Sequence, residues 1–187
     1  MPETMRADGR RNYELVLDAA RLAFAEHGTE VSLREVARRA GVGIGTLYRH
    51  FPTREALVEA CMRHGFDTLR ARAEELLDSP TPDEALLTWM RALAAGSMTY
   101  HGLPASLMAA LLDEQSELHA SCAAMRAAAT HLLDRAQQAG HARPDLTAAE
   151  LFALVAGVAW AGQQAPDQDG LTNRLLSLAT TGLVHRP

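Results

Sequence analysis

No lysine occurs in the 187-residue sequence, so all 18 basic residues are arginine. That absence excludes a phosphate loop of the G-x-x-x-x-G-K-[ST] type, whose lysine must reach the β- and γ-phosphates. Aromatic residues make up only 5% against 48% hydrophobic residues, with alanine and leucine dominant. This composition favours helices over the valine, isoleucine and tyrosine bias of sheets. Cysteine is limited to Cys61 and Cys122, with no C-x-x-C spacing, which predicts reduced, partly buried thiols and no disulfide. The longest apolar run, Leu151 to Gly162, is too short to span a bilayer. The first twenty residues are charged throughout, unlike a secretory leader. The expectation is a soluble, cytoplasmic, all-α chain with no membrane partner, in two compact parts at most. No repeat, low-complexity segment or strand pattern stands out.

Charge is also scarce where it first matters. The net charge of -5 argues weakly against nucleic acid until it is divided along the chain. Residues 1–54 hold nine arginines and seven acids, a balance of +2, whereas the remainder holds nine arginines and sixteen acids, a balance of -7. The acidic excess therefore lies outside the N-terminal part, which suits a small basic head on an acidic body.

Helical spacing organises the rest. Val16, Leu17, Ala20, Ala23 and Phe24 form a stripe ending near Gly28. Ser32, three residues before Glu35, predicts a capping box for a second helix with Leu33, Val36, Ala37 and Ala40 inward, stopped at Gly41. A third short helix turns Leu47 and Phe51 inward, and Thr53 is placed to cap a long fourth helix from Arg54 to about Asp78. Thr81, Pro82 and Glu84 open a helix to about Tyr100, with a break at Gly102–Pro104. Residues 105–140 read as one long helix or two shorter ones closed by Gly140. Thr147 and Glu150 give a third capping box, for helices over 148–164 and 170–185. The expected division is a head over 1–53 and a body over 54–187.

The run "GVGIGTLYRHF" from Gly41 to Phe51 has two readings. A dinucleotide loop needs G-x-G-x-x-G after a strand. Here the third glycine comes one residue early and the preceding segment is a charged amphipathic helix. The alternative is a helix-turn-helix, in which two short helices cross tightly and the second offers its outer face to the major groove. Ala37 at the crossing, Gly41 at the turn, and the apolar plugs Val42 and Leu47 meet its needs in order. The outward positions are then Gly43, Ile44, Gly45, Thr46, Tyr48, Arg49 and His50. Gly45 lets the helix backbone approach DNA closely. Thr46, Tyr48, His50 and Arg54 are placed to donate to phosphate oxygens, and Arg34 to reach a guanine edge bidentately.

These residues carry a family resemblance. "SLREVARRAGVGIGTLYRHFPTREAL" resembles the DNA-binding head of TetR-family transcriptional regulators, and Val16 to Gly28 is similar to that family's first helix. "GIGTLYRHFPTREAL" together with "RPDLTAAELFALVAGV" is similar to the subgroup with an SbtR-like C-terminal domain. The resemblance implies that Ser32 to Phe51 is the helix-turn-helix, and that Arg34, Thr46, Tyr48, His50 and Arg54 touch DNA. With Ser32, Gly43, Ile44, Gly45 and Arg49 they form the expected DNA-binding set. The chain departs from the pattern at Gly43-Ile44, where many members carry a polar pair, so few side chains of the recognition helix can read bases. Ile44 offers apolar contact to a thymine methyl, and sequence choice falls more on Arg34, Arg49 and DNA shape.

Other constellations are weaker. Cys61 with His64, and His119, Cys122 and His131, have helical spacing, but two ligands do not close a metal site, and no metal or cofactor is expected. Paired acids such as Asp113-Glu114 and Glu74-Glu75 point apart on a helix and read as solvated faces. No acid, base and nucleophile cluster supports the alternative of a small-molecule enzyme or carrier with a non-functional head. Met62, Phe66, Trp89, Met90, Met98, Tyr100, Met108 and Met125 are candidates to line an apolar effector pocket, since methionine adapts to irregular ligands. In the family the last two helices pair across a two-fold axis as a four-helix bundle. Here Ala153, Ala156, Gly157, Trp160, Leu175, Leu178 and Leu183 are the expected surface. The functional expectation is a homodimeric repressor that binds a palindromic double-stranded operator and is released by a small-molecule effector.

Overall fold

The computed structural model describes residues 2–97, 105–165 and 167–181. Among these described residues there are nine α-helices and no strand: α1 (Pro2–His27), α2 (Leu33–Arg39), α3 (Ile44–His50), α4 (Arg54–Leu76), α5 (Pro82–Ser97), α6 (Ala105–Leu112), α7 (Glu117–Gln138), α8 (Ala148–Gln163) and α9 (Gln168–Thr181). They form two compact units. The first holds α1, α2, α3, α4 through His64, α6 and the start of α7 through His119. The second holds the remainder of α4 and α7 with α5, α8 and α9.

In the first unit the stripe read from the sequence is the buried face of α1, where Val16, Ala20 and Ala23 are fully inaccessible and Phe24 nearly so. The helix begins earlier than its apolar stripe, at Pro2. On the way to the stripe, Arg10 and Glu14 pair at 3.7 Å one turn apart. α1 ends where Gly28 takes φ 75°, and its N–H closes on the Phe24 carbonyl at 2.9 Å. From α4, Leu57, Val58 and Cys61 enter the same unit as buried residues. Burial pushes the Cys61 thiol up to about 12. Both cysteines are free thiols, as their spacing predicts.

The second unit is built around Trp89, Met90, Leu132, Leu133, Leu151, Val155 and Leu176. Burial of each such side chain is worth about 1.5–3 kcal/mol. The Trp89 indole N–H donates to the Leu69 carbonyl of α4 at 2.9 Å, which removes the cost of burying that donor. Its ring meets Phe152 edge-on at 5.8 Å. α8 starts with a complete capping box: the Thr147 hydroxyl accepts from Glu150 N, and the Glu150 carboxylate accepts from Thr147 N at 2.8 Å. α8 packs on α5 and α9. A side chain at Gly162 would run into Thr172 of α9, so this glycine permits the close crossing.

Some expected boundaries shift, and the choice left open for residues 105–140 is decided. α4 stops at Leu76, two residues early, and the expected helix ends near Tyr100 and 185 lie outside the described residues. Residues 105–140 are two helices, because Asp113 accepts from Gln115 N and Ser116 N and turns the chain between them. The capping boxes at Ser32 and Thr81 are not reciprocal. Ser32 accepts from Arg34 N at 3.3 Å while Glu35 turns to arginines, and the Thr81 hydroxyl donates to the Glu84 side chain.

Candidate nucleic-acid interface

α2 and α3 are joined by a turn whose geometry follows from one glycine. After Ala40, Gly41 takes φ 68°. Its N–H bonds to the Arg38 carbonyl at 3.2 Å, and the Val42 N–H reaches back to the Ala37 carbonyl at 3.1 Å. This closure satisfies the last carbonyls of α2 and reverses the chain within two residues. Gly43 then stands as the N-cap of α3 in an extended conformation. Val36 and Ala37 of α2, Leu47 of α3 and Phe51 just after it are all buried. α2 packs on both α1 and α3.

With Leu47 inward, the outer face of α3 holds Ile44 at 36% exposure, Tyr48 at 48%, and the exposed Gly43, Gly45 and Arg49, with Thr46 and His50 half-buried. Gly45 is informative. A Cβ built there meets no atom within 4 Å, and its φ is outside the left-handed region. Among the described residues, neither turn geometry nor packing requires a glycine at this position.

Charge on α2 is partly neutralised. The Glu35 carboxylate accepts from Arg38 at 2.7 and 2.8 Å and from Arg39 at 2.9 Å, and these bonds hold its pKa down to about 2. Arg39 also donates to Glu26 at 2.6 Å. Arg34 and Arg49, by contrast, are exposed and have no ion pair among the described residues.

The expected DNA-binding residues do not all share this face. Gly43, Ile44, Gly45, Thr46, Tyr48 and Arg49 belong to it, while Ser32 and Arg34 are exposed at the start of α2. His50 is turned toward α1, its ring edge-on to Tyr13 at 6.0 Å. Arg54 is turned away: its Nη1 donates to the Thr29 and Val31 carbonyls at 2.6 Å each. Tyr13 was not singled out from the sequence, yet its ring packs on Phe51 at 4.9 Å and braces the end of α3. The signal was present, since Tyr13 stands three residues before Val16 and continues the same helical stripe.

Of the residues expected to line a pocket, Trp89, Met90 and Met125 are buried together in the second unit with Phe66 packed against them. Met62 is buried in the first unit, and Met108 on α6 is 47% exposed. Met98 and Tyr100 lie outside the described residues. Ala153, Ala156, Gly157 and Trp160 form one exposed stripe along α8, while Leu175 and Leu178 on α9 are half-buried. Leu183 lies outside the described residues. Two other small residues of α8, Ala159 and Gly162, face the core instead.

Comparison with known proteins matches residues 16–61 to the model of bacterial regulatory proteins of the tetR family. Residues 81–185 match that of the SbtR-like transcriptional regulator C-terminal domain. Among curated relatives, the transcriptional repressor KstR2 of Mycolicibacterium smegmatis is 35% identical over 88 residues, which cover 46% of this chain and 42% of KstR2. The chain thus spans less than half the length of this relative. Among solved structures, a TetR transcriptional regulator of Streptomyces coelicolor is 37% identical, covers 91% of this chain and 97% of its own, and superposes with a TM-score of 0.74. The LfrR regulator of Mycobacterium smegmatis, solved in complex with proflavine, is 25% identical with a TM-score of 0.68, covering 95% and 98% of the two chains. The tight α2–α3 turn, its exposed recognition face and these matches together establish that the chain belongs to the TetR family of bacterial transcriptional regulators, with an SbtR-like C-terminal domain.

Proposed function

We propose that the protein is a ligand-responsive transcriptional repressor that acts in the cytoplasm, binds an approximately palindromic operator as a homodimer, and leaves it when a small-molecule effector occupies the body. The observation that carries this reading is the outer face of α3, where Gly45 leaves space that nothing among the described residues uses. On a duplex, that gap lets the recognition helix sit close in the major groove, with Thr46 and Tyr48 donating to phosphates and Ile44 against a thymine methyl. Arg34 and Arg49, free of acidic partners among the described residues, supply the charge and the base contacts.

The exposed stripe Ala153, Ala156, Gly157 and Trp160 supports dimerisation through α8, since small residues let helices approach closely and Trp160 at 64% exposure is a large apolar group left in water. Leu175 and Leu178 extend that surface on α9. One head per half-site then makes the operator an inverted repeat. KstR2 supports repression as the direction of control. The LfrR complex with proflavine supports small-molecule binding, and Phe66, Trp89, Met90 and Met125 are the apolar side chains of the body proposed to meet the effector. Effector and operator favour different states of one dimer, so each weakens the other by the same factor. A switch from 1:99 to 99:1 takes about 5.5 kcal/mol of differential binding.

Selection of bound fragments from a randomised duplex library tests the reading. It is expected to enrich an inverted repeat whose half-sites lie about one helical turn apart or a multiple of it. Enrichment of no sequence, or of a single unrepeated site bound by a monomer, rejects it.

A further inference from the structure

We infer that Arg54 is the clasp that positions the helix-turn-helix, and is not itself a contact to DNA phosphate; the inference deepens the DNA-binding reading and rests on it. Arg54 is the first residue of α4, and one nitrogen of its guanidinium, Nη1, donates to both the Thr29 and Val31 carbonyls at 2.6 Å. These acceptors lie in the short loop between α1 and α2, outside any helix. Thr29 is 6% exposed, so its carbonyl has little water to turn to. The loop has little to hold itself, its own Val31 N–H to Gly28 carbonyl bond being long at 3.4 Å.

Val31 immediately precedes Ser32, the N-cap of α2. The place where α2 begins is therefore fixed by a side chain of α4, which is itself anchored by the buried Leu57, Val58 and Cys61. α2 in turn packs on α3, so a shift at Val31 passes to the recognition helix. A charged donor to two carbonyls is among the stronger hydrogen-bonded arrangements, and planar guanidinium geometry suits it better than a flexible ammonium. Arg49 makes the contrast: it is exposed and without an ion pair among the described residues, as a residue awaiting phosphate should be.

The test measures affinity for the duplex that the wild-type protein enriches, across a range of salt concentrations, for wild type, Arg54→Gln and Arg49→Gln. Measurements are made at a temperature where circular dichroism finds each variant fully folded. Arg54→Gln is expected to bind at least tenfold more weakly at every salt concentration, with the wild-type slope of log affinity against log salt. Arg49→Gln is expected to flatten that slope. A slope flattened in Arg54→Gln by about 1.8, the loss of one phosphate contact per head at about 0.9 each, overturns the inference. So does unchanged affinity in the folded variant, which would leave Arg54 a purely structural role.

Arginine side-chain NMR on the wild-type protein needs no variant and decides the matter if Arg54→Gln does not fold. The Arg54 guanidinium protons are expected to exchange slowly in free protein and to keep their resonance positions when duplex is added. Fast exchange that slows only with DNA overturns the clasp. If the wild-type protein enriches no duplex, the DNA-binding reading fails, while slow exchange in free protein still establishes the clasp as structure alone.

Discussion

Replacing Gly45 with alanine separates stability from recognition at one atom. Gly45 lies inside α3, has no left-handed φ, and a Cβ at that position has no neighbour within 4 Å. Nothing among the described residues opposes the added methyl, and alanine is favoured over glycine by at most about 0.8–1.0 kcal/mol, the helix-interior value, at this first-turn position. For a chain of this length a gain of that size raises Tm by about 2–4 °C. The same methyl projects from the face proposed to lie in the major groove, where it holds the helix backbone away from the duplex and lengthens the hydrogen bonds from Thr46 and Tyr48. A loss of about 1.4 kcal/mol or more, tenfold in Kd, is expected. Differential scanning fluorimetry and fluorescence anisotropy on a labelled operator read the two effects in one preparation. A variant that is more stable and binds as tightly as wild type refutes the close-approach argument. A variant with a lower Tm refutes the claim that the space is open.

Three further outcomes follow from the same geometry. Arg34→Ala is expected to relax preference at one or two positions of the half-site, whereas Tyr48→Phe weakens binding to all sequences alike; competition between operator variants distinguishes the two, and the reverse pattern removes the assignment. Glu35 is held down to about 2 by its bonds to Arg38 and Arg39, so its contribution to stability is fully present above its ordinary value of 4.5 and is lost as pH falls from there toward 2. Glu35→Gln is expected to destabilise the head at neutral pH and to show a shallower fall in denaturation midpoint between those pH values than wild type. Gly162→Ala places a methyl against Thr172 and within 3.2 Å of the Gln168 carbonyl. Overpacking at this crossing is expected to cost about 1–3 kcal/mol in chemical denaturation, whatever happens at the DNA-binding face.

The parts of the molecule legible in the sequence are those governed by short-range rules. Gly41 announced its left-handed turn, Thr147 and Glu150 their reciprocal cap, and Leu47 and Phe51 their burial, because each depends on residues within one or two turns. Ser32 and Glu35 have the same spacing as Thr147 and Glu150 but do not close. Two arginines on the next turn compete for the Glu35 carboxylate and win by charge. The bonds of Arg54 were hidden for a different reason. A basic residue after a recognition helix looks like a phosphate contact in one dimension, and only the fold brings the Thr29 and Val31 carbonyls within its reach. In α8 the sequence displayed the small residues together, but helical phase divides them, sending Ala159 and Gly162 into the core and Ala153, Ala156 and Gly157 outward.

The central claim is that the α2–α3 face holds duplex DNA through its phosphates. Affinity of the wild-type protein for duplex DNA, measured from low to moderate salt, tests it most directly. With about six phosphates contacted, log affinity is expected to fall against log salt with a slope near -5. Absence of binding at the lowest salt, or binding that does not change with salt, contradicts the account.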